Sequence, residues 1–162
     1  MAGFVLSDAS PLIALARVDG LSWLRALFDR VWMPEEVWHE VLPGMGFAEE
    51  EAIHAALSAG WLAVHAPTPT EPQLPDLDEG EAACIRVALA QAAPALLLID
   101  ERAGRALATE RGLRVAGTAA VIGMAKSRGL VHSAREVFAR LHASDFRISA
   151  TVIETVLRRV GE

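Results

Sequence analysis

The 162-residue sequence contains a single cysteine, Cys84, which excludes an internal disulfide framework and any metal site built on several cysteines. It lacks a glycine-rich phosphate-binding loop, which counts against an enzyme that uses nucleoside triphosphates. Its longest apolar stretch, residues 87–99, is interrupted by Gln91 and Pro94 and is shorter than the roughly 18 residues that span a bilayer. A signal peptide has a basic stretch before its apolar region, and no such stretch precedes the first apolar run of this sequence. We therefore expect a cytoplasmic protein with no membrane partner.

Positive charge is scarce in the first half of the chain. Residues 1–81 hold 3 arginines and 14 acidic residues, a net charge of −11, whereas residues 82–162 hold 12 basic and 7 acidic residues, a net charge of +5. The total of −6 argues against a protein that coats nucleic acid regardless of sequence, because such a protein needs a positive surface. The uneven spread of charge fits either a chain with a distinct acidic half and basic half or ordinary scatter on solvated helix faces, and neither interpretation is favoured. With 52% apolar residues, the chain is long enough for one domain with a real core.

Short apolar segments alternate with helical segments along the chain. Strands are predicted at residues 4–6, 31–33, 61–64, 95–99 and 113–116. Helices are predicted from Ser10 as N-cap to Gly20, and at residues 21–28, 34–42, 48–58, 78–92, 101–111, 118–127, 133–142 and 148–160. Alternation of this kind is typical of a parallel sheet covered on both faces. In such a sheet, ligands bind beyond the carboxyl ends of the strands, near the switch in strand order.

Four acidic residues fall where a parallel α/β fold can bring them together. Asp8 follows the first strand and Asp100 follows the fourth. Glu40 lies on the helix after the second strand, and Glu81 lies near the start of the helix before the fourth. Clustered carboxylates repel one another unless a cation offsets their charge, and Mg²⁺ or Mn²⁺ suits oxygen ligands. Taken alone, Glu40 is more typical of a solvated helix face shared with Glu36 than of a ligand.

The other three acids each have a structural interpretation as well. Asp8 and Asp100 each precede a predicted helix that they could cap. Glu81 stands three residues after Asp78, which is a capping arrangement, and the neighbouring Glu79 could exchange roles with it. No single position is specific, so the hypothesis of a metal site depends on the set.

The segments that carry these acids resemble PIN domains. They are VLSDASPLIAL, MPEEVWHEVL, LDEGEAACIRVALA and LLLIDERAGRALATERGLRVAGTAAVIGMAK. The resemblance covers about residues 3–130. Within the family, these segments are most similar to a prokaryotic branch related to the VapC-type toxins of toxin–antitoxin pairs. It implies an α/β/α sandwich with a parallel sheet of four or five strands, and metal-dependent cleavage of RNA with Mg²⁺ or Mn²⁺.

The resemblance also implies roles for individual residues. It implies four catalytic metal ligands: Asp8, Glu40, Glu81 and Asp100. Relatives often carry paired aspartates where this chain has Asp100-Glu101, so Glu101 is an alternative ligand to Asp100. Thr118 matches a hydroxyl residue that binds a metal-bound water, and Ser10 is placed to support Asp8. This chain lacks the further acid that many relatives carry near Thr118, so we expect one tightly bound ion and a second only with substrate.

Arg102 and Arg105 follow Asp100 closely and could contact substrate phosphates, although an exposed helix face is an equally good interpretation. We expect a nuclease domain over residues 1–130 and a helical extension over residues 131–162 that packs on the same domain.

The leading hypothesis is an Mg/Mn-dependent endoribonuclease, the toxin of a type II toxin–antitoxin pair. The expected partners are an RNA substrate, a cognate antitoxin protein and a second copy of the chain, with the apolar segment 21–28 as a possible dimer contact. An alternative is a PIN-like binding or assembly module with little catalysis. A phosphoacceptor or phosphatase would need a second acid beside Asp8 and a lysine after a late strand, and neither is present.

Overall fold

The computed structural model describes residues 3–162. The strands are β1 (Phe4–Ser7), β2 (Val31–Pro34), β3 (Leu62–His65), β4 (Ala95–Leu98) and β5 (Arg114–Ala116). The helices are α1 (Ala9–Arg17), α2 (Leu21–Phe28), α3 (Glu35–Val41), α4 (Ala48–Ala59), α5 (Glu79–Leu89), α6 (Arg102–Glu110), α7 (Thr118–Ser127), α8 (Ala134–Ala143) and α9 (Ala150–Arg159). Within this part of the chain, no helix combines the length and the apolar character needed to cross a membrane.

The five strands form one parallel sheet in the order β3-β2-β1-β4-β5. This confirms the predicted α/β fold with a parallel sheet flanked by helices. From β1 the chain builds outward to β3, then returns to place β4 on the other side of β1. The switch in strand order therefore falls between β1 and β4, which pair from Phe4 with Ala95 to Ser7 with Leu98. Ligands of such sheets bind beyond the carboxyl ends of these two strands.

The central strands form because their side chains are buried on both faces of the sheet. All four residues of β4 are buried, and Leu6, Leu97 and Leu98 are completely inaccessible to solvent. Burial of one such leucine contributes about 1.5–3 kcal/mol, so these strands anchor the sheet. The residues that follow them are consequently held on a rigid edge.

Most element bounds agree with the sequence prediction to within one or two residues. The clearest difference is at α5, which ends at Leu89 and not at Ala92. Its C-cap residue is Ala90, and Pro94 follows shortly after. Proline restricts the residue before it to extended conformations, so the chain leaves the helix early to enter β4.

The C-terminal helices pack on α7. Gly123 of α7 faces α9 so closely that a Cβ atom there would lie 2.9 Å from Val156 Cγ1. The carboxylate of Glu162 accepts hydrogen bonds from the first turn of α8: from Ala134 N–H at 2.6 Å, Arg135 N–H at 3.2 Å and the Ser133 hydroxyl at 2.9 Å. Residues 131–162 thus pack against α7 and against one another.

We predict that Glu162→Gln lowers the free energy of unfolding by about 1 kcal/mol, because it weakens charge-assisted hydrogen bonds to the start of α8. Burial raises the pKa of Glu162, but the hydrogen bonds from Ala134, Ser133 and Arg135 outweigh it and leave the pKa below its usual 4.5. A depressed carboxyl pKa adds stability that is lost as the pH falls through the folded pKa. Thermal unfolding at neutral and acidic pH should therefore show a difference that shrinks in acid.

The matched control is Glu154→Gln, on an exposed part of α9. It should leave the melting temperature unchanged. Equal effects of the two substitutions would contradict the capping role of Glu162.

Candidate active site

Asp8 lies between the last residue of β1 and the first residue of α1. Its N–H donates a hydrogen bond to Leu98 C=O at 2.9 Å, which continues the pairing of β1 with β4. Asp8 occupies the N-cap position, but its side chain forms no capping hydrogen bond, and α1 begins at Ala9. The prediction of Ser10 as the N-cap is therefore wrong: Asp8 occupies that position, without a capping hydrogen bond to its carboxylate. The carboxylate is buried, with 4% of the residue exposed.

Asp100 is positioned by α7 and not by the helix that follows it. Its Oδ1 accepts a hydrogen bond from Thr118 N–H and its Oδ2 accepts one from Thr118 Oγ1, both at 2.7 Å. Thr118 is fully buried and begins α7, so the carboxylate lies at the positive end of that helix. The N-cap position of α6 belongs to Glu101. The interpretation of Asp100 as a cap of α6 is therefore wrong, and Thr118 fixes the orientation of its carboxylate.

Glu40 and Asp8 meet over a glycine at the start of α5. A Cβ atom on Gly80 would lie 2.8 Å from Asp8 Oδ1 and 3.2 Å from Glu40 Oε2. The two carboxylates thus approach a space that any larger residue would fill. In the same turn, Asp78 accepts a hydrogen bond from Glu81 N–H at 2.9 Å, which confirms Asp78 as the N-cap of α5.

Two further glycines accommodate the remaining carboxylates. A Cβ atom on Gly104 would lie 3.0 Å from Glu81 Oε2. A Cβ atom on Gly117 would lie 3.0 Å from Asp100 Oδ1 and 2.6 Å from Arg105 Nη1. These glycines were not identified from the sequence. For Gly104 the available signal was a glycine inside a helical segment, since glycine there costs roughly 0.5–1 kcal/mol relative to alanine and suggests close packing.

Burial and mutual repulsion raise the pKa values of Asp8 and Glu81. Burial raises the pKa of Asp8 to about 7; the backbone N–H of Ala9 opposes this shift, and the nearby charges of Asp78, Glu40 and Asp100 add to it. Burial likewise raises the pKa of Glu81 to about 7, and the charges of Asp78 and Asp8 add to it. Asp78 is therefore a fifth acid of the cluster, although the sequence indicated only its capping role.

The other two acids are perturbed in the same direction. Burial raises the pKa of Glu40, and the charge of Asp78 adds to it. Burial raises the pKa of Asp100, while the hydrogen bonds from Thr118 and the charge of Arg105 oppose the shift. No ion pair engages the carboxylates of the cluster within residues 3–162. Negative charge is thus concentrated at the β1–β4 edge with little compensation from the chain itself.

The oxygen donors of this cluster suit a divalent cation, but their present positions do not enclose one. Oxygen donors, burial and uncompensated negative charge are the chemistry that Mg²⁺ or Mn²⁺ requires, and the space over Gly80 is open between two carboxylates. As the side chains stand, no three His, Cys, Asp or Glu residues of the described chain converge on a single point that could hold an ion. The donor types therefore fit a divalent cation, and binding would require the carboxylates to rotate toward one another.

The remaining predicted residues lie around this cluster. Ser10 is half-buried on α1 and forms no hydrogen bond with Asp8; the hydroxyl of Ser7 donates to the Asp8 carbonyl at 2.9 Å. Glu101 and Arg102 are exposed at the start of α6. Arg105, one turn further along, is exposed as a residue, yet its guanidinium lies beside Asp100.

A parallel α/β sandwich with acids gathered at the switch in strand order defines the class of this molecule. The family model of the DUF3368 PIN domains matches residues 4–162, and the chain belongs to the PIN-domain family. The match extends through α8 and α9, beyond the segments that suggested the family from sequence. PIN domains are generally nucleases and typically use divalent metal ions. Neither a curated protein nor a solved structure matches the chain.

We predict that Asp8→Asn stabilises the metal-free protein at about pH 8, by about 1–3 kcal/mol, because it removes a buried, repelled charge. The folded pKa of Asp8, about 7, lies above its ordinary value of 3.8. Between these values the folded protein holds a proton that the unfolded chain has lost, so wild-type stability falls as the pH rises. The advantage of the variant should shrink as the pH falls toward 4.

Thermal unfolding in EDTA across this pH range measures the effect. Asp76→Asn is the control, because Asp76 is exposed in the loop before α5. A lower melting temperature for Asp8→Asn than for wild type at pH 8 would show that the Asp8 charge is compensated.

Proposed function

We propose that this protein is an endoribonuclease that hydrolyses RNA phosphodiester bonds with Mg²⁺ or Mn²⁺. The observation that carries the proposal is the group of acidic side chains at the β1–β4 edge, of which Asp8 and Glu81 are buried and have their pKa values raised by that burial to about 7. Several carboxylates at a ligand-binding edge lower the stability of the folded protein through mutual repulsion, unless a cation is bound there when the protein acts. Membership of a family of nucleases supports the same conclusion.

Four carboxylates would bind the ion: Asp8, Glu40, Glu81 and Asp100. Glu101 is an alternative ligand to Asp100. A divalent cation in such a site activates water and offsets negative charge on the scissile phosphate.

The chain's own groups prepare the site. Thr118 holds both oxygens of Asp100 from one side, so the remaining lone pairs of that carboxylate are available on the other. Asp78 fixes the first turn of α5 and with it the position of Glu81. Arg105 lies beside Asp100 and is available to bind a substrate phosphate.

A second candidate function is a PIN-like module that binds or assembles with little catalysis. The observation that favours it is the separation of the carboxylates, since no three candidate ligands of the described chain converge in their present rotamers. Under this alternative the cluster would bind divalent ions weakly and the chain would cut no RNA.

We extend the proposal to a biological role as the cytoplasmic toxin of a type II toxin–antitoxin pair. It is supported by the resemblance of the LDEGEAACI and LIDERAGR segments to a branch related to VapC-type toxins. The partners would be an antitoxin protein and a second copy of the chain. A small antitoxin reading frame next to the gene would support this role.

Cleavage of labelled RNA with and without Mn²⁺ tests the proposed activity. We predict metal-dependent cutting by wild type and a loss of roughly 100-fold or more in rate for Asp8→Asn and for Glu81→Gln, because each removes a ligand of the ion. Glu79→Gln is the matched control, since Glu79 is exposed two residues before Glu81 and should keep wild-type activity.

Two results would contradict the proposed site or activity. Cutting that persists in EDTA, or that survives both Asp8→Asn and Glu81→Gln, would place the chemistry elsewhere. No cutting of any RNA, together with a melting temperature that Mn²⁺ does not change, would favour the binding module.

The hydroxyl of Thr118 donates a hydrogen bond to Asp100 and can be removed without changing the size of the side chain. Thr118→Val keeps the volume and the backbone N–H but removes the hydroxyl donor to Asp100, so we expect about a tenfold loss in kcat/KM. The acidic limb of the pH–rate profile should move to higher pH, because the hydrogen bond that lowers the pKa of Asp100 is lost. Thr118→Ser should restore both properties.

The matched control is Thr155→Val, which removes a hydroxyl hydrogen bond to Thr151 C=O on α9. It should leave the pH profile unchanged. A Thr118→Val enzyme with wild-type kinetics would show that Asp100 needs no such orientation.

A further inference from the structure

Two neighbouring surface cavities are both lined by Asp100, and together they are called the groove here. One part, a cavity of about 380 Å³, lies between Ser10, Asp100 and Arg105 on one wall and Phe146, Arg147 and Ser149 on the other. A second cavity of about 560 Å³ shares Asp100, Arg105 and Val152 with the first and continues along α6 toward Thr109 and Val115. The two cavities share three lining residues and therefore lie side by side, and two neighbouring openings of this kind suit a polymer better than a compact small molecule.

The second wall of the groove is the connector between α8 and α9, residues 144–149. Phe146 N–H donates to Leu141 C=O at 3.2 Å, and Ile148 N–H donates to His142 Nε2 at 3.3 Å. The side chains of Phe146 and Ile148 pack against the core. The connector is therefore held at both positions that flank Arg147, and it presents the exposed arginine from a fixed backbone.

Each wall of the groove carries an arginine that can meet a phosphate chain, beside the acids Asp100 and Glu101. Arg105 approaches the groove from α6, beside Asp100, and Arg147 approaches it from the connector. In the part of the chain described, neither arginine is engaged in a salt bridge. Both guanidinium groups are thus available for charge-assisted hydrogen bonds to phosphate oxygens. Such contacts would offset the repulsion between the acid cluster and the substrate backbone.

We infer that Arg147 and Arg105 bind backbone phosphates of a single RNA strand that runs along this groove past Asp100. The inference rests on the proposed ribonuclease function and adds a path for the substrate. It assigns α8 and α9 a direct part in substrate binding, because Arg147 is supplied by the connector that these helices hold in place.

Fluorescence anisotropy of a labelled single-stranded RNA of about 12 nucleotides tests the inference. Binding is measured in the Asp8→Asn background, in which the RNA stays intact. We expect Arg147→Ala to raise Kd roughly tenfold and to reduce the slope of log Kd against log salt by about 0.7, the value for one phosphate contact on a single strand. Arg147→Lys, which keeps the charge, should recover most of the affinity.

Arg135→Ala is the matched control. Arg135 is an exposed arginine on the first turn of α8, near the end of α7 that is remote from Thr118 and Asp100. It should leave Kd and the salt slope unchanged. In the wild-type background, Arg147→Ala should raise KM for RNA cleavage with little change in kcat, because a backbone contact stabilises bound substrate and transition state alike.

The outcomes separate this inference from the proposed function. Wild-type cleavage with KM and Kd insensitive to Arg147→Ala would overturn the groove and leave the nuclease standing. Absence of cleavage together with RNA binding that depends on Arg147 would support the groove and overturn the nuclease. Equal weakening by Arg147→Ala and Arg135→Ala, or no measurable RNA binding at all, would overturn the inference.

Discussion

Carboxylates that share a buried site repel one another. In this protein that repulsion is concentrated at the switch in strand order, between β1 and β4. Asp8 and Asp100 are delivered to the edge by the adjacent strands β1 and β4, while Glu81 and Asp78 arrive on the first turn of α5. Burial and the shared negative charge raise the pKa values of Asp8 and Glu81 to about 7. The chain tolerates this cost because the surrounding core is rigid, and a bound cation would remove most of it.

Much of the local sequence serves to keep these acids close. Glycines stand where a carboxylate needs room, as Gly80 does between Asp8 and Glu40 and Gly104 does beside Glu81. Thr118 holds Asp100 through two hydrogen bonds of 2.7 Å, so the start of α7 orients a residue that follows β4. The result is an acidic centre bordered by arginines, which reconciles an overall charge of −6 with a substrate made of phosphates.

The fold and the residues at strand ends could be predicted from sequence, because short buried strands and the acids that follow them are local patterns. The same patterns misassigned the hydrogen bonds: Asp100 precedes α6 in sequence but is bound by Thr118, whose position depends on how β5 and α7 pack. Asp78 was predicted only as a cap, since its distance from Asp8 is set by tertiary structure. Arg147 lies 47 positions after Asp100, and no local signal connects it to the groove.

We propose that the acids at the β1–β4 edge together bind a divalent cation. Anomalous diffraction from a crystal soaked in Mn²⁺ tests this binding, because manganese is located independently of any assumed ligand. We predict a peak between Asp8, Glu81 and Asp100, with these carboxylates rotated toward it, and no peak there in Asp8→Asn. A crystal with manganese bound only elsewhere, or with none at the acidic edge, would contradict the claim.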